Sequence, residues 1–343
     1  LSLSIAFPAY DYAFIFVGIF EYASPISELL RTLNISLPSI KNVYGATVIM
    51  SMALFPYIFL LTKAQLSSVG VGIFKAAKSL GNNNLTAIRK VILPSLWPAV
   101  IAGMALVIFE TISDFGGVST LRVETFTVGI YDAWFGYQSY FSAAKLAGYL
   151  LLFVFFIIFI TKYFGANSNT LASKTAETFE KIELNKFNQY VISVTCFLIF
   201  VLVFCIPIIQ LLVWHFNNPL FNVSESLYLL FNSSILGVCA ALFTVFFAMA
   251  LSLSYKNNSY IRPFISISSS GYAVPGSVIS AALLIVFDFV FDTSITLYGV
   301  FGLILCLSLR FMTPAFNYIN ASLANISKSA ENALSTQPRN SYK

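Results

Sequence analysis

Long apolar runs separated by short polar connections dominate the pattern of this chain. Each run is continuous rather than alternating, which favours helices over the roughly ten-residue strands of a membrane barrel. A helix needs about 20 mostly apolar residues to cross a hydrocarbon core of about 30 Å, because each residue rises about 1.5 Å. Eight runs meet this requirement: residues 4–20, 43–62, 96–113, 143–164, 190–214, 227–254, 264–287 and 296–319.

The composition supports a membrane-spanning chain. Hydrophobic residues make up 58% of the 343 residues, charged residues only 10%, and the mean hydropathy is +0.83. No single globular core of this length could bury so much apolar surface, so we expect the lipid bilayer to act as the solvent. The pattern therefore predicts an all-α polytopic membrane protein with about eight transmembrane helices.

The charges of the connections predict how the chain is oriented in the membrane. The connection 63–95 carries five cations and no acid, so the positive-inside rule makes it cytoplasmic. Alternation then sends the connection 114–142 outside and keeps 165–189 inside. Because this topology accounts for the net charge of +5, we expect no nucleic acid partner.

An internal repeat divides the chain into two halves. Residues 4–10 (SIAFPAY) resemble residues 271–277 (GYAVPGS), and residues 43–55 resemble residues 297–309. Matching runs share a predicted orientation, so an axis along the membrane normal would relate the halves. Chance similarity among apolar helices is the alternative. The predicted domains are a first half, a cytoplasmic linker and a second half: residues 1–164, 165–189 and 190–343.

A polar insertion, residues 75–94 (KAAKSLGNNNLTAIRKVILP), lies between two membrane-length runs. It begins with a predicted short amphipathic helix over residues 73–80, which places apolar and basic residues on opposite faces. So short a helix is marginal alone in water, so its apolar face requires either a groove on a partner or the lipid headgroups. The apolar face consists of Ile73, Ala77 and Leu80, and the basic face of Lys75 and Lys78.

Three residues of the insertion predict where its helices begin and end. Gly81 can take the left-handed conformation that ends the short helix. Asn84 is a candidate N-cap for a second helix, and Pro94 is expected to end that helix before the membrane.

The spacing of the insertion resembles the cytoplasmic signature loop of prokaryotic ABC importer permeases. That loop reads Glu-Ala-Ala, then Gly after three residues, then Ile-x-Leu-Pro after nine more. Lys75 departs from the pattern because it stands where the family has Glu, which reverses a charge. The residues at the signature positions are Lys75, Ala76, Ala77, Gly81, Val91, Leu93 and Pro94.

The resemblance implies a fused two-half permease of the bacterial inner membrane, with a type I, MetI-like fold of two tandem parallel repeats. It implies that the loop docks on ABC ATPase subunits, of which there are two, and that an extracytoplasmic substrate-binding protein delivers the solute. The chain contains no Gly-Lys-Ser/Thr phosphate loop, so ATP hydrolysis is expected in a partner, with no catalytic residue and no cofactor here.

The second half shows a degraded counterpart of the loop in residues 325–338. One register puts Asn332 and Ala333 at the first two signature positions, and an alternative register shifts this by three residues. By the repeat, the first half lacks its first two helices and the second half its last two. The chain is therefore interpreted as truncated at both ends.

Carboxylates at membrane depth indicate a candidate translocation path. Charged groups there are costly and usually face a protein interior or an aqueous passage. Asp11 lies within the first run, while Glu110 and Asp114 lie four residues apart on one helical face. These three acids and Tyr272 are the candidate path residues. Alternatively, they hydrogen-bond neighbouring helices or lie in the outer interface.

The substrate is predicted from resemblance alone. Residues 110–136 resemble a region of fused ferric-iron permeases, and residues 271–278 and 310–317 resemble landmarks of their second half. Fe(III) favours carboxylate and phenolate oxygen, so an acid-bearing and tyrosine-bearing path is compatible with this ion. Permeases for thiamine, polyamines and phosphonate share the architecture and stay open as alternatives. The single His215 and the scattered cysteines predict no dedicated metal site.

Two other classes of protein compete with the importer. A secondary transporter driven by protons or sodium would use Asp11 and Glu110 as its carriers. A membrane-embedded enzyme would need a nucleophile with a base, or a set of metal ligands, and the sequence shows neither.

Overall fold

The computed structural model describes residues 2–81, 83–165, 185–217, 222–258, 260, 262, 265, 271–291 and 295–325. Within these ranges the regular structure is helical and no strand occurs. The prediction of an all-α protein is therefore confirmed.

The predicted membrane runs correspond to helices. Seven helical stretches in the described part of the chain are long and apolar enough to cross a membrane. The remaining run, 264–287, overlaps an apolar helix of 16 residues, Gly276–Phe291. About eight helices therefore agree with the sequence. The seven stretches are Ala9–Thr32, Val43–Ser67, Ile88–Ser113, Tyr140–Ile160, Lys186–Asn217, Val223–Lys256 and Gly299–Asn320.

The chain divides into two compact units, Leu1–Phe221 and Asn222–Lys343. The helices of the first unit are α1 (Ala9–Phe20), α2 (Pro25–Thr32), α3 (Val43–Ser79), α4 (Asn84–Ala87), α5 (Leu93–Ser113), α6 (Gly116–Thr120), α7 (Phe126–Tyr131), α8 (Tyr140–Gly165), α9 (Lys186–Phe200) and α10 (Ile206–Asn217). Most of the predicted linker lies outside the described residues, so the division into halves at 165–189 stays a prediction.

Short irregular turns of helix connect several of these elements. A 3₁₀ turn, Ser2–Ala6, precedes α1, and π-helical segments occupy Ile88–Ile92, Asp132–Gly136 and Val201–Cys205. The first π segment joins α4 to α5, and the last joins α9 to α10. The stretches 84–113 and 186–217 are therefore continuous helices with a local bulge, a form that occurs often at functional sites.

The core of the first unit forms where α1, α3 and α6 meet. Tyr12, Ile49 and Leu121 are among its buried members. Small residues let the helices approach closely, as is usual between membrane helices. A Cβ on Gly103 of α5 would come within 2.8 Å of the Ile58 backbone of α3, so a larger residue there would force these helices apart.

A buried hydrogen bond holds the helical stretch 186–217 to α1. The Tyr12 hydroxyl donates to the carbonyl oxygen of Val203 at 2.8 Å. Pro207, four residues after Val203, has no N–H to donate to that carbonyl as a regular helix would. Tyr12 therefore supplies a donor at a point where the sequence removes one, and a satisfied carbonyl is valuable inside a membrane.

The second unit contains α11 (Val223–Asn257), α12 (Gly276–Phe291) and α13 (Ile295–Asn325). A 3₁₀ turn, Gly271–Ala273, precedes α12 and packs on α13. The Tyr272 N–H donates to the Thr313 hydroxyl of α13 at 3.0 Å. A buried cluster that includes Ala248, Met312 and Phe316 joins α11 to α13.

Candidate functional site

The predicted amphipathic segment 73–80 is not a separate helix. It belongs almost entirely to α3, which runs without interruption over 37 residues from Val43 to Ser79. A helix of this length rises about 55 Å, whereas a hydrocarbon core is about 30 Å thick. The segment therefore extends the membrane helix beyond the bilayer. The polar residues of this segment suggested that the membrane helix ends before it. Lysine and alanine are good helix formers, however, so the helix continues through the segment.

Gly81 ends the helix as predicted. Its φ of +84° lies in the left-handed region, and its N–H donates to the Lys78 carbonyl at 2.9 Å. Nothing lies within 4 Å of where a Cβ would stand, so the backbone conformation rather than space requires glycine here.

The next two sequence predictions need correction. Asn83, rather than Asn84, caps the following helix, because its Oδ1 accepts from the Thr86 N–H at 2.9 Å. Pro94 does not end that helix. It lies in the first turn of α5, and the π segment Ile88–Ile92 carries the helix across this point. The altered hydrogen bonding of a π segment accommodates the missing proline N–H.

The end of α3, α4 and the π segment form a hairpin, residues 77–94, which we call the coupling hairpin. Both α4 and the π segment pack back on α3. Ala77 is buried, whereas Leu80 is 82% exposed and Leu93 is 50% exposed. Exposed leucines on a hairpin that carries cations leave an apolar surface for a partner.

The other signature residues are only partly described. Val91 is half-buried and Pro94 is exposed. Lys75 and Ala76 lie in the helix, and their side chains fall outside the described part of the structure. Asn332 and Ala333, the predicted second coupling residues, also lie outside the described residues, so that prediction stays open.

Two of the candidate path acids line one cavity. Glu110 and Asp114, at the outer end of α5, face a cavity of about 210 Å³. Asp11 does not line this cavity, although it lies half-buried in the first turn of the neighbouring helix α1. Tyr272 belongs to the second unit and lies half-buried beside α13. The remaining lining residues are Ile5, Phe7, Pro8, Ala9, Tyr10, Ala53, Leu54 and Tyr57.

Asp114 also organises the outer loop. Its Oδ2 accepts from the Val118 N–H at 2.9 Å and so caps α6, while its carbonyl accepts from the Thr127 hydroxyl at 2.7 Å. A Cβ on Gly117 would come within 2.8 Å of that same Oδ2. The structural alternative considered for Asp114 therefore has direct support.

Sequence reasoning missed two residues near these sites. Tyr10 and Tyr57 bring phenol groups to the cavity of Glu110. Each follows a proline closely, Pro8 and Pro56, which was the available signal. In the second unit, the guanidinium of Arg310 lies beside Gly276, whose Cβ would come within 2.9 Å of Nη1. Among the described residues, no group of three or more His, Cys, Asp or Glu side chains is arranged to hold a metal.

The fold and the coupling hairpin define a class of protein: a polytopic helical membrane protein that offers an apolar hairpin on its basic face. Residues 1–169, just under half of the chain, match the family described as "Binding-protein-dependent transport system inner membrane component". The resemblance to ABC importer permeases that the signature loop indicated is thereby confirmed. With its apolar helices, the chain is a multi-pass inner membrane protein.

Relatives with assigned substrates differ among themselves. The chain is 26% identical over 307 residues to the Fe(3+)-transport system permease protein FbpB 2 of Haemophilus influenzae. The aligned residues make up 87% of this chain and 60% of that protein. It is 36% identical over 74 residues to the sulfate transport system permease protein CysT of Salmonella typhimurium, covering 22% of this chain and 27% of that protein. No solved structure matches the chain.

A third relative is a probable molybdenum ABC transporter permease protein of Haloferax volcanii. It is 25% identical over 104 residues, which cover 30% of this chain and 38% of that protein. Of these three relatives, the ferric-iron permease is similar over most of this chain, while the sulfate and molybdenum permeases are similar over shorter stretches.

Proposed function

We propose that this chain forms the membrane passage of an ATP-driven importer and that its coupling hairpin docks on an ATPase subunit. The observation that carries the proposal is the continuity of α3 from the membrane to the hairpin. A movement of the docked hairpin would move a membrane helix directly, because no flexible joint separates them.

Two ATPase subunits and an extracytoplasmic binding protein would complete the importer, as in other systems of this family. Closure of the ATPases would draw the hairpin with it and open the passage toward the binding protein, in an alternating-access cycle. The chain itself would not hydrolyse ATP, because its role would be to form the translocation path.

Leu80 provides the sharpest test of docking. It is 82% exposed and lies at the turn of the hairpin, so Leu80→Asp should spare the fold but place a charge in an apolar groove. Copurification of the ATPase should fall at least tenfold, and substrate-stimulated ATP hydrolysis should fall with it. Leu80→Met, which keeps the apolar contact, is the matched control. Normal ATPase binding by Leu80→Asp would refute the docking proposal.

Lys75 suggests that the partner groove carries a compensating acid. Lys75→Glu introduces the residue that is usual in the family. Because the new carboxylate would face the acid proposed in the groove, binding to the cognate ATPase should weaken. An acid-to-lysine change in the groove should restore it, as measured by copurification of both pairs. Tighter binding by Lys75→Glu alone would instead indicate that the native hairpin couples weakly.

We propose ferric iron as the solute, because the relative named for Fe(3+) transport is similar over 87% of this chain. The cavity with Glu110, Tyr10 and Tyr57 supports a hard cation, which favours carboxylate and phenolate oxygen. The second candidate is an oxyanion, favoured by the sulfate and molybdenum relatives.

Uptake by cells that express the complete importer distinguishes the two solutes. Labelled iron should accumulate in an ATP-dependent way, while labelled sulfate and molybdate should not. Accumulation of an oxyanion without iron would overturn the substrate assignment and leave the ATPase docking intact. Uptake that survives ATP depletion but collapses with an uncoupler would instead favour a secondary transporter.

A further inference from the structure

The helix α2 presents an apolar surface that the described part of the chain does not cover. Ser24 caps the helix by accepting from the Ser27 N–H at 3.0 Å, and Pro25 occupies its first turn. At 100° per residue the apolar residues share one arc, and Ser27, on the protein side, is buried. Ile26, Leu29 and Leu33, in that arc, are 43%, 64% and 64% exposed.

A polar cavity of about 300 Å³ adjoins this helix. Its charged lining is Arg31, Lys41 and Glu21, and hydroxyl groups of Ser36 and Ser39 lie beside them. The Arg31 guanidinium lies over the Tyr22 ring at 3.7 Å, and Lys41 pairs with Glu21 at 3.4 Å. These three charges sum to +1, which suits an anionic group.

The connections of α2 keep it close to the membrane boundary. It begins five residues after the last residue of α1, a distance that an extended chain spans in at most about 18 Å. Val17 and Phe20, in the last turn of α1, are among the apolar residues that line the cavity. By the alternation of spans, this region lies on the face opposite the basic connection 63–95, so the nearby lipid is that of the outer leaflet.

We propose that α2 and the adjoining cavity bind a phospholipid of the outer leaflet. The apolar arc lies at the boundary between headgroups and acyl chains, as in other interfacial helices, and the headgroup phosphate occupies the cavity near Arg31. A phospholipid supplies both an apolar body and an anion, whereas a free anion would leave the leucines exposed to water. The bound lipid would fix the end of α1 that is opposite to the end lining the cavity of Glu110.

Photocrosslinking tests the apolar arc in the complete protein. Benzoylphenylalanine in place of Leu29 should give adducts of phospholipid mass in vesicles of phosphatidylethanolamine and phosphatidylglycerol. The same substitution at Glu28, on the polar face, is the matched control and should give less than a tenth as much. Equal yields at both positions, or a protein adduct at Leu29 in native membranes, would overturn the proposal.

Native mass spectrometry tests the cavity separately. The complete protein, released from the same vesicles in mild detergent, should retain one phospholipid fewer when Arg31→Gln removes the cation. Lys145→Gln is the control, since Lys145 likewise lies over an aromatic ring, that of Phe141 at 4.4 Å. Equal lipid retention by the Arg31→Gln and Lys145→Gln variants would show that Arg31 holds no headgroup.

Discussion

The same local structure occurs in both units and carries opposite charges. In the first unit, a 3₁₀ turn is followed by Pro8 and then α1, and the turn packs on the long helix α3. In the second unit, a 3₁₀ turn is followed by Pro275 and then α12, and the turn packs on the long helix α13. Each long helix contains a proline of its own.

The side chains that face this structure differ. In the first unit Glu110 and Asp114 line the cavity beside Pro8, whereas in the second unit Arg310 lies beside Gly276. Glu110 belongs to α5 and Arg310 to the long helix α13, so the two units place charges of opposite sign beside a similar backbone structure.

The largest expected effect comes from closing the space at Gly271. A Cβ there would overlap the carbonyl oxygen of Leu309, and backbone atoms cannot move aside as a side chain can. Gly271→Ala should therefore lower the free energy of unfolding by about 2–4 kcal/mol, measured by denaturant titration in detergent. Gly299→Ala is the matched control, because nothing lies within 4 Å of that Cβ position. Stability of Gly271→Ala equal to that control would contradict the close packing of turn and helix.

Neutralising each charged group in turn tests which of the two repeats the solute contacts. If iron is the solute, Glu110→Gln should reduce its uptake about tenfold, equivalent to about 1.4 kcal/mol of barrier height, while Arg310→Gln should leave uptake within about twofold. Initial rates of labelled iron uptake at matched expression provide the measurement. The reverse ranking, with Arg310→Gln the damaging change, would favour an anion.

Another difference between the repeats lies one turn into each helix. Tyr12 of α1 corresponds, by the sequence offset of the repeat, to Ile279 of α12. Tyr12→Phe removes the bond to Val203 and should cost about 0.6–1.5 kcal/mol in the free energy of unfolding. Unfolding in detergent measures this cost, with Tyr228→Phe at a site that is 65% exposed as the control. No difference between these two variants would show that the buried bond adds nothing.

The smallest effect is expected at Asp114. Asp114→Asn keeps an acceptor for the Val118 N–H, so stability should change by less than about 0.5 kcal/mol and iron uptake by less than about twofold. Asp114→Ala removes the acceptor and should cost about 1 kcal/mol. Thermal unfolding and uptake of both variants separate a helix cap from a path residue, because a path carboxylate would make Asp114→Asn the more damaging change for transport.

Local signals in the sequence predicted much of the fold. Continuous apolar runs predicted the membrane helices, since length and hydropathy are properties of single segments. Gly81 predicted a helix end because its conformation is locally determined. The spacing of Glu110 and Asp114 predicted one shared face, and both acids do line one cavity.

Features that depend on distant contacts escaped the sequence. The polar insertion suggested a break before residue 73, yet α3 continues to Ser79, because its helix-forming lysines and alanines are supported by the packing of α4 and the π segment. Pro94 suggested a helix end that the π segment removes. The bond from Tyr12 to Val203 joins positions 191 residues apart, and no periodicity encodes such a pair.

Pro56 gives the long helix α3 a point about which it can pivot. Val43, at the outer end, lies roughly half as far along the helix from Pro56 as Ser79 does at the inner end. If the hairpin docks as proposed, a rigid α3 turning about Pro56 would move its outer end through about half the displacement applied at the hairpin. The position of this proline therefore sets how much of a movement at the hairpin reaches the outer end of α3.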